Sequence, residues 1–145
     1  MKKIISYSAP GKVILSGEHA VVYGKPAIVA AINMRLTFKI WESKNSDNSD
    51  KNILLTISII KNYLKKNKIS FIDKLFDYHI ESQIPIQQRL GSSAAYSVAG
   101  IASFLDFYTG WEWNKEIINN LHSKDRVPLD DEGCAHLTLR SDMRA

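Results

Sequence analysis

The sequence predicts an α+β fold, and three features of its patterning carry that expectation. Short runs rich in β-branched and aromatic residues crowd the chain up to Trp41. Two stretches further on repeat apolar residues at helical spacing, and a strand-like run stands between them. At 145 residues the chain suits one domain, or a piece of a larger one, and is long enough to bury a real core.

The first two strands are expected at Ile4-Ile5-Ser6-Tyr7-Ser8 and at Val13-Ile14-Leu15-Ser16, with a turn between them where Pro10 and Gly11 punctuate Ala9-Pro10-Gly11-Lys12. A connection follows from Gly17, with Glu18 and His19 inside it and a second glycine at Gly24. Residues 27–32 and 34–41 read as two further strands. The second alternates Leu36, Phe38 and Ile40 against Arg35, Thr37 and Lys39, so one face should be buried and the other wet.

From Glu42 to Asn52 no residue is apolar, which predicts a surface loop. Ile53, Ile57, Ile60 and Leu64 then recur at steps of four, three and four, the pattern of an amphipathic helix, with Lys65 and Lys66 where cations suit its carboxyl end. Phe76 to Ile84 alternates loosely and ends at Pro85, a strand. Ala94, Val98, Ile101, Leu105 and Tyr108 mark one face of a last long helix, and Ala95, Ala99, Ala102 and Phe104 fill much of the rest. A helix apolar nearly all round belongs at the centre of the core, and Gly110 should end it. Asn114 can cap a further helix through Leu121, with Ile117, Ile118 and Leu121 as its apolar side.

Bulk properties narrow the function classes. Hydrophobic content of 45% and charged content of 23% are ordinary for a globular protein. The net charge of +4 is mild and its lysines are spread along the chain, so a solvated surface is expected rather than a nucleic-acid partner. The single cysteine, Cys134, excludes an internal disulfide and a multi-cysteine metal site. The start lacks the apolar stretch of a signal peptide, and no run approaches membrane-spanning length. A soluble cytoplasmic protein is the expectation.

Composition changes after Leu121. All eighteen isoleucines and all nine asparagines precede residue 122, whereas three of the five arginines follow it. Residues 1–121 therefore read as the domain, and 122–145 as an aberrant or disordered tail without helical or strand periodicity. His122, Cys134 and His136 stand at spacings that match no familiar metal site.

The strongest motif is Leu90-Gly91-Ser92-Ser93-Ala94-Ala95, at a strand-to-helix junction. Small residues there let backbone approach a ligand, the N–H groups of the new helix favour an anion, and the serine hydroxyls can bond phosphate or ligate magnesium. An ordinary helix N-cap, with Ser92 or Ser93 accepting from a backbone N–H, explains the same residues.

Ala9-Pro10-Gly11-Lys12-Val13, then Gly17-Glu18-His19-Ala20-Val21-Val22-Tyr23-Gly24, then Leu90 to Ser97 stand in an order that resembles the GHMP family of small-molecule kinases, and within it the mevalonate kinases. The Glu-His-Ala-Val-Val-Tyr-Gly run is the discriminating one, because galactokinases usually follow Glu-His with Thr-Asp. Asn33-Met34-Arg35 sits where mevalonate kinases carry a similar strand. Other family members, such as phosphomevalonate or homoserine kinases, and a non-catalytic nucleotide-binding relic are the alternatives.

The resemblance implies the ribosomal-S5-like N-terminal half of a GHMP kinase, a mixed sheet packed against helices, with the C-terminal domain absent. It implies ATP and Mg2+ as cofactors, mevalonate as substrate, and a possible homodimer. Lys12 takes the family's catalytic lysine position, serving the transferring phosphate and the substrate oxygen. Glu18 and His19 line the substrate pocket with it. Gln87, Gln88, Arg89, Leu90, Gly91, Ser92 and Ser93 occupy the phosphate loop, and Ser93 matches the serine that helps to hold magnesium. Two departures stand out. Gln87 and Arg89 replace the first two glycines of the family's Gly-x-Gly-Leu-Gly-Ser-Ser-Ala loop, and Asp125, Asp130 and Asp131 lack the pattern around its catalytic aspartate. Without that base, this stretch alone is expected not to turn over.

Overall fold

The computed structural model describes residues 3–46, 50–85 and 88–110. Three strands and two helices carry the fold: β1 (Ile4–Ser16), β2 (Ile28–Glu42), α1 (Lys51–Lys66), β3 (Phe76–Ser82) and α2 (Ser92–Thr109). The sheet runs β1-β2-β3, and both pairings are antiparallel, so the parallel pairing that a mixed sheet requires is not among the described residues. The helix expected at 114–121 and the segment from His122 lie outside the described residues.

Four short strands were expected before Glu42, and two long ones are found. Pro10 and Gly11 do not make a turn. Pro10 pairs with Arg35 and Lys12 with Ala31, so Ile32, Asn33 and Met34 bulge out of β2 opposite Gly11. A second register shift follows between Ile14 and Ser16. Each break in the β pattern is therefore a bulge inside a paired strand, because the ladder on either side outweighs the local irregularity.

Alternation along β2 works as expected. Leu36, Phe38 and Ile40 are buried, while Lys39 on the opposite face reaches Glu81 of β3 at 2.6 Å. The buried row faces α2, which lies across β1 and β2, with α1 against it. Phe38 is fully buried between Tyr78, Tyr96 and Phe104, with ring centroids 5.7, 6.1 and 5.5 Å away. The Ser103 hydroxyl donates to the Phe38 carbonyl at 3.3 Å. Burying a phenylalanine so fully stabilises the domain by about 2–3 kcal/mol.

α2 is central, as its pattern predicts: nearly every residue from Ala94 to Tyr108 is buried. Gly110 ends it in the left-handed conformation, φ 68, returning its N–H to Asp106. α1 buries the expected row, Ile53, Ile57, Ile60 and Leu64, and Asp50 caps its start by accepting from the Asn52 N–H at 2.8 Å. No described helix is long and apolar enough to cross a membrane.

Candidate active site

The bulge of β2 opposite Gly11 sets up the site. Where the ladder is interrupted, the Lys12 N–H donates to the Leu90 carbonyl at 2.8 Å, across nearly eighty residues of sequence. Gly11 makes that approach possible, since a Cβ there would stand 2.7 Å from the same carbonyl oxygen and 3.0 Å from Ile32 Cδ1. On the other side of the bond the Lys12 stem lies along Gly91. A Cβ on Gly91 would come within 2.5 Å of Lys12 Cγ and 3.2 Å of its Cε. Two motifs that are far apart in sequence thus form one surface.

The same contact decides what the two serines do. Gly91, at φ 77, is the N-cap of α2, and a glycine has no side chain to cap with. Ser92 and Ser93 follow as its first two residues, half-buried, rather than standing at the cap. Neither serine occupies the N-cap position. The first turn carries no acidic residue, and the start of a helix is where the dipole favours an anion. Ser93 lends its carbonyl to the Ser97 hydroxyl at 3.0 Å.

Further along the loop, Leu90 is half-buried, while Gln88 and Arg89 are exposed, and Gln87 lies outside the described residues. Arg89 adopts φ 54, so the position where the family resemblance expects glycine does require the left-handed region. Glu18 and His19 are exposed on the β1–β2 connection, after Gly17 at φ 88, and His19 precedes the 3-10 turn Ala20–Tyr23. No described contact joins either of them to Lys12 or to the 88–93 loop.

Sequence reasoning missed the clamp that holds the loop's upstream end. The Arg35 N–H donates to the Gln83 side chain at 3.1 Å and the Gln83 N–H returns to the Arg35 carbonyl at 2.9 Å. The Arg35 guanidinium also grips Ser8, donating to its hydroxyl at 2.9 Å and to its carbonyl at 3.2 Å. Ser8 is buried, which no pattern in β1 announces. The only signal was an arginine on the wet face of a strand.

With this geometry in hand, comparison with known proteins is informative. The family model of the GHMP kinases N terminal domain matches residues 53–137. The chain belongs to the GHMP kinase family. That match continues past Leu121, where the composition changes. Mevalonate kinase of Archaeoglobus fulgidus is 36% identical over 140 residues, covering 88% of this chain and 46% of that protein. Mevalonate kinase of Methanothermobacter thermautotrophicus is 38% identical, over 90% of this chain and 44% of its own length. The crystal structure of Methanococcus jannaschii mevalonate kinase superposes with a TM-score of 0.66 at 29% identity, covering 83% of this chain and 44% of that one. This chain spans less than half the length of these relatives. The α+β architecture expected from the sequence is the GHMP kinase N-terminal domain.

The residues present suit magnesium only in part. No described group of three or more His, Cys, Asp or Glu could hold a metal by itself. The Ser93 hydroxyl, in the first turn of α2, is a hard oxygen donor of the kind that magnesium takes.

Proposed function

We propose that this chain is the phosphate-loop half of an ATP-dependent kinase that phosphorylates the 5-hydroxyl of mevalonate. One observation carries the reading: Lys12 is fastened through its N–H to Leu90 and along its stem to Gly91, the glycine N-cap of α2. Phosphoryl transfer asks the protein for positioning and for neutralising charge rather than for covalent chemistry. The α2 N–H groups would cradle phosphate, and the Lys12 ammonium would stabilise charge on the transferring group. Ser93 would hold Mg2+, which when bound draws charge from the phosphate oxygens. Glu18 and His19 would contact mevalonate from the β1–β2 connection, since they belong to the run that carries the family resemblance. The partners on this reading are small molecules, in the cytoplasm, with neither nucleic acid nor membrane involved.

The test is calorimetry of the 145-residue chain with Mg-ATP, beside the Lys12→Met variant. Binding by the wild-type chain that weakens about tenfold in Lys12→Met is expected for a lost charge-assisted contact. No heat up to millimolar nucleotide would overturn the reading. Mevalonate phosphorylation by this stretch alone is expected to be undetectable, since no aspartate in it matches the family's base.

A further inference from the structure

We propose that a groove at the carboxyl end of α2 is a docking site, and that its occupant is residues 111–121 of the same chain. The groove measures about 910 Å³ and lies at the opposite end of α2 from Gly91. Ile5, Phe71, Ile72, Phe107 and Tyr108 supply its apolar lining. Ile72 is 64% exposed, although its N–H is tied to the Tyr108 carbonyl at 3.0 Å. An apolar side chain on a backbone fastened to α2 therefore stands open, which marks a surface that another element covers.

Two observations select the occupant. The first is where the described chain arrives: Gly110 lines the groove, and the sequence continues Trp111-Glu112-Trp113. Consecutive Cα atoms are about 3.8 Å apart, so Trp113 lies within about 11 Å of Gly110 in any conformation. A segment tethered so closely meets the groove at an effective concentration of millimolar order, which a free partner lacks. Five of its eleven residues are apolar, Trp111, Trp113, Ile117, Ile118 and Leu121, and the family match runs through all of them to residue 137. The second is charge. Lys3, Lys44 and Lys74 line the groove beside Glu42 and Asp106. Glu42 already meets Lys74 at 3.8 Å, and the Asp106 carboxylate accepts from the Tyr7 hydroxyl at 3.0 Å. The segment carries Glu112 and Glu116 against Lys115 alone. A lining with an excess of cations thus faces a segment with an excess of acids.

Hydrogen exchange of the 145-residue chain, read by peptide mass spectrometry, tests the docking. Amides of residues 111–121 should exchange at least about tenfold more slowly than those of an open chain. Ile72→Asp sets a carboxylate against an apolar, acidic segment while leaving the core alone, because the side chain it replaces is exposed. It should speed exchange of 111–121 about tenfold, with α1 and α2 protected as before, which also shows that the variant is folded. Leu54→Asp, on the outer side of α1 and away from the groove, should leave 111–121 unchanged. Open-chain exchange of 111–121 in the wild-type protein overturns the inference, and so does protection that Ile72→Asp leaves intact. Protection that grows with protein concentration assigns the groove to a second copy and overturns it as well.

Discussion

Lys12 and Gly91 stand seventy-nine positions apart in sequence, yet the lysine stem occupies the space where a Gly91 side chain would begin, 2.5 Å from its Cγ. The contact works in two directions. It keeps the N-terminal end of α2 bare of side chain, and it lays the lysine along that end. A surface lysine normally samples many rotamers, and fixing one costs about 1.5–2 kcal/mol of side-chain entropy. Here part of that cost is met in the fold, through the Lys12 N–H bond to Leu90 and the packing on Gly91.

Substituting either glycine should unfasten the site. Gly11→Ala sets a methyl 2.7 Å from the Leu90 carbonyl oxygen, a backbone atom that cannot swing aside. Overpacking of that kind costs about 1–3 kcal/mol. Gly91→Ala adds left-handed strain at φ 77 and pushes the lysine stem away. Urea denaturation should show both variants destabilised, with Mg-ATP affinity reduced more than melting alone explains. Unchanged affinity in a folded Gly91→Ala chain would show that the Lys12 contact is irrelevant to the ligand.

Phe38 is the keystone of the core. It is fully buried in β2, and three aromatic neighbours surround it from β3 and α2. Phe38→Ala should destabilise by about 3–5 kcal/mol, which for a small domain approaches the whole folding free energy. Leu54 on the outer side of α1 is half exposed, and Leu54→Ala serves as the control, with a change of less than about 1 kcal/mol. Equal losses in the two variants would contradict the burial pattern.

Alkali should unfold this domain earlier than its lysines alone predict. Burial raises Tyr108 far above the ordinary phenol value of 10.0, with Asp73 adding to the shift. Tyr96 is raised far above it too, by burial first and then by Asp50 and Tyr78, with Thr56 acting weakly the other way. Tyr78 is raised by burial and by Asp50, the carboxylate its hydroxyl meets at 3.5 Å. Above pH 10.0 the unfolded chain releases these protons while the folded chain retains them. Stability is thus whole below that pH and falls as pH rises through and beyond it. Urea midpoints at about pH 8 and about pH 11 should show the drop, and Tyr108→Phe should make it shallower. An identical drop in the variant would remove Tyr108 from the account.

Much of this was legible in the residues themselves. The period-two alternation of Leu36, Phe38 and Ile40 and the four-three-four spacing in α1 depend on short-range geometry, so sequence states them directly. Gly110 ends α2 because a residue without Cβ adopts the left-handed conformation at no steric cost. The motif Leu90 to Ala95 and the run Glu18 to Gly24 identify the family on residue type alone, and the family model agrees.

Other features are decided by long-range pairing, which no local pattern encodes. Pro10-Gly11 reads as a turn until β2 is laid alongside it; then the pair lies within a strand opposite a bulge of β2, and the N–H of Lys12 bonds Leu90. The sequence left Ser92 and Ser93 open between capping a helix and serving a ligand. Only the placement of Gly91 as the cap, with the Lys12 stem against it, moves both serines into the first turn of α2. Residue patterns alone were enough for the buried face of β2, for α1 and α2, and for the family. The tertiary structure decided that a lysine from β1 and a helix end from α2 share one surface, because sterics at two glycines leave room for it there.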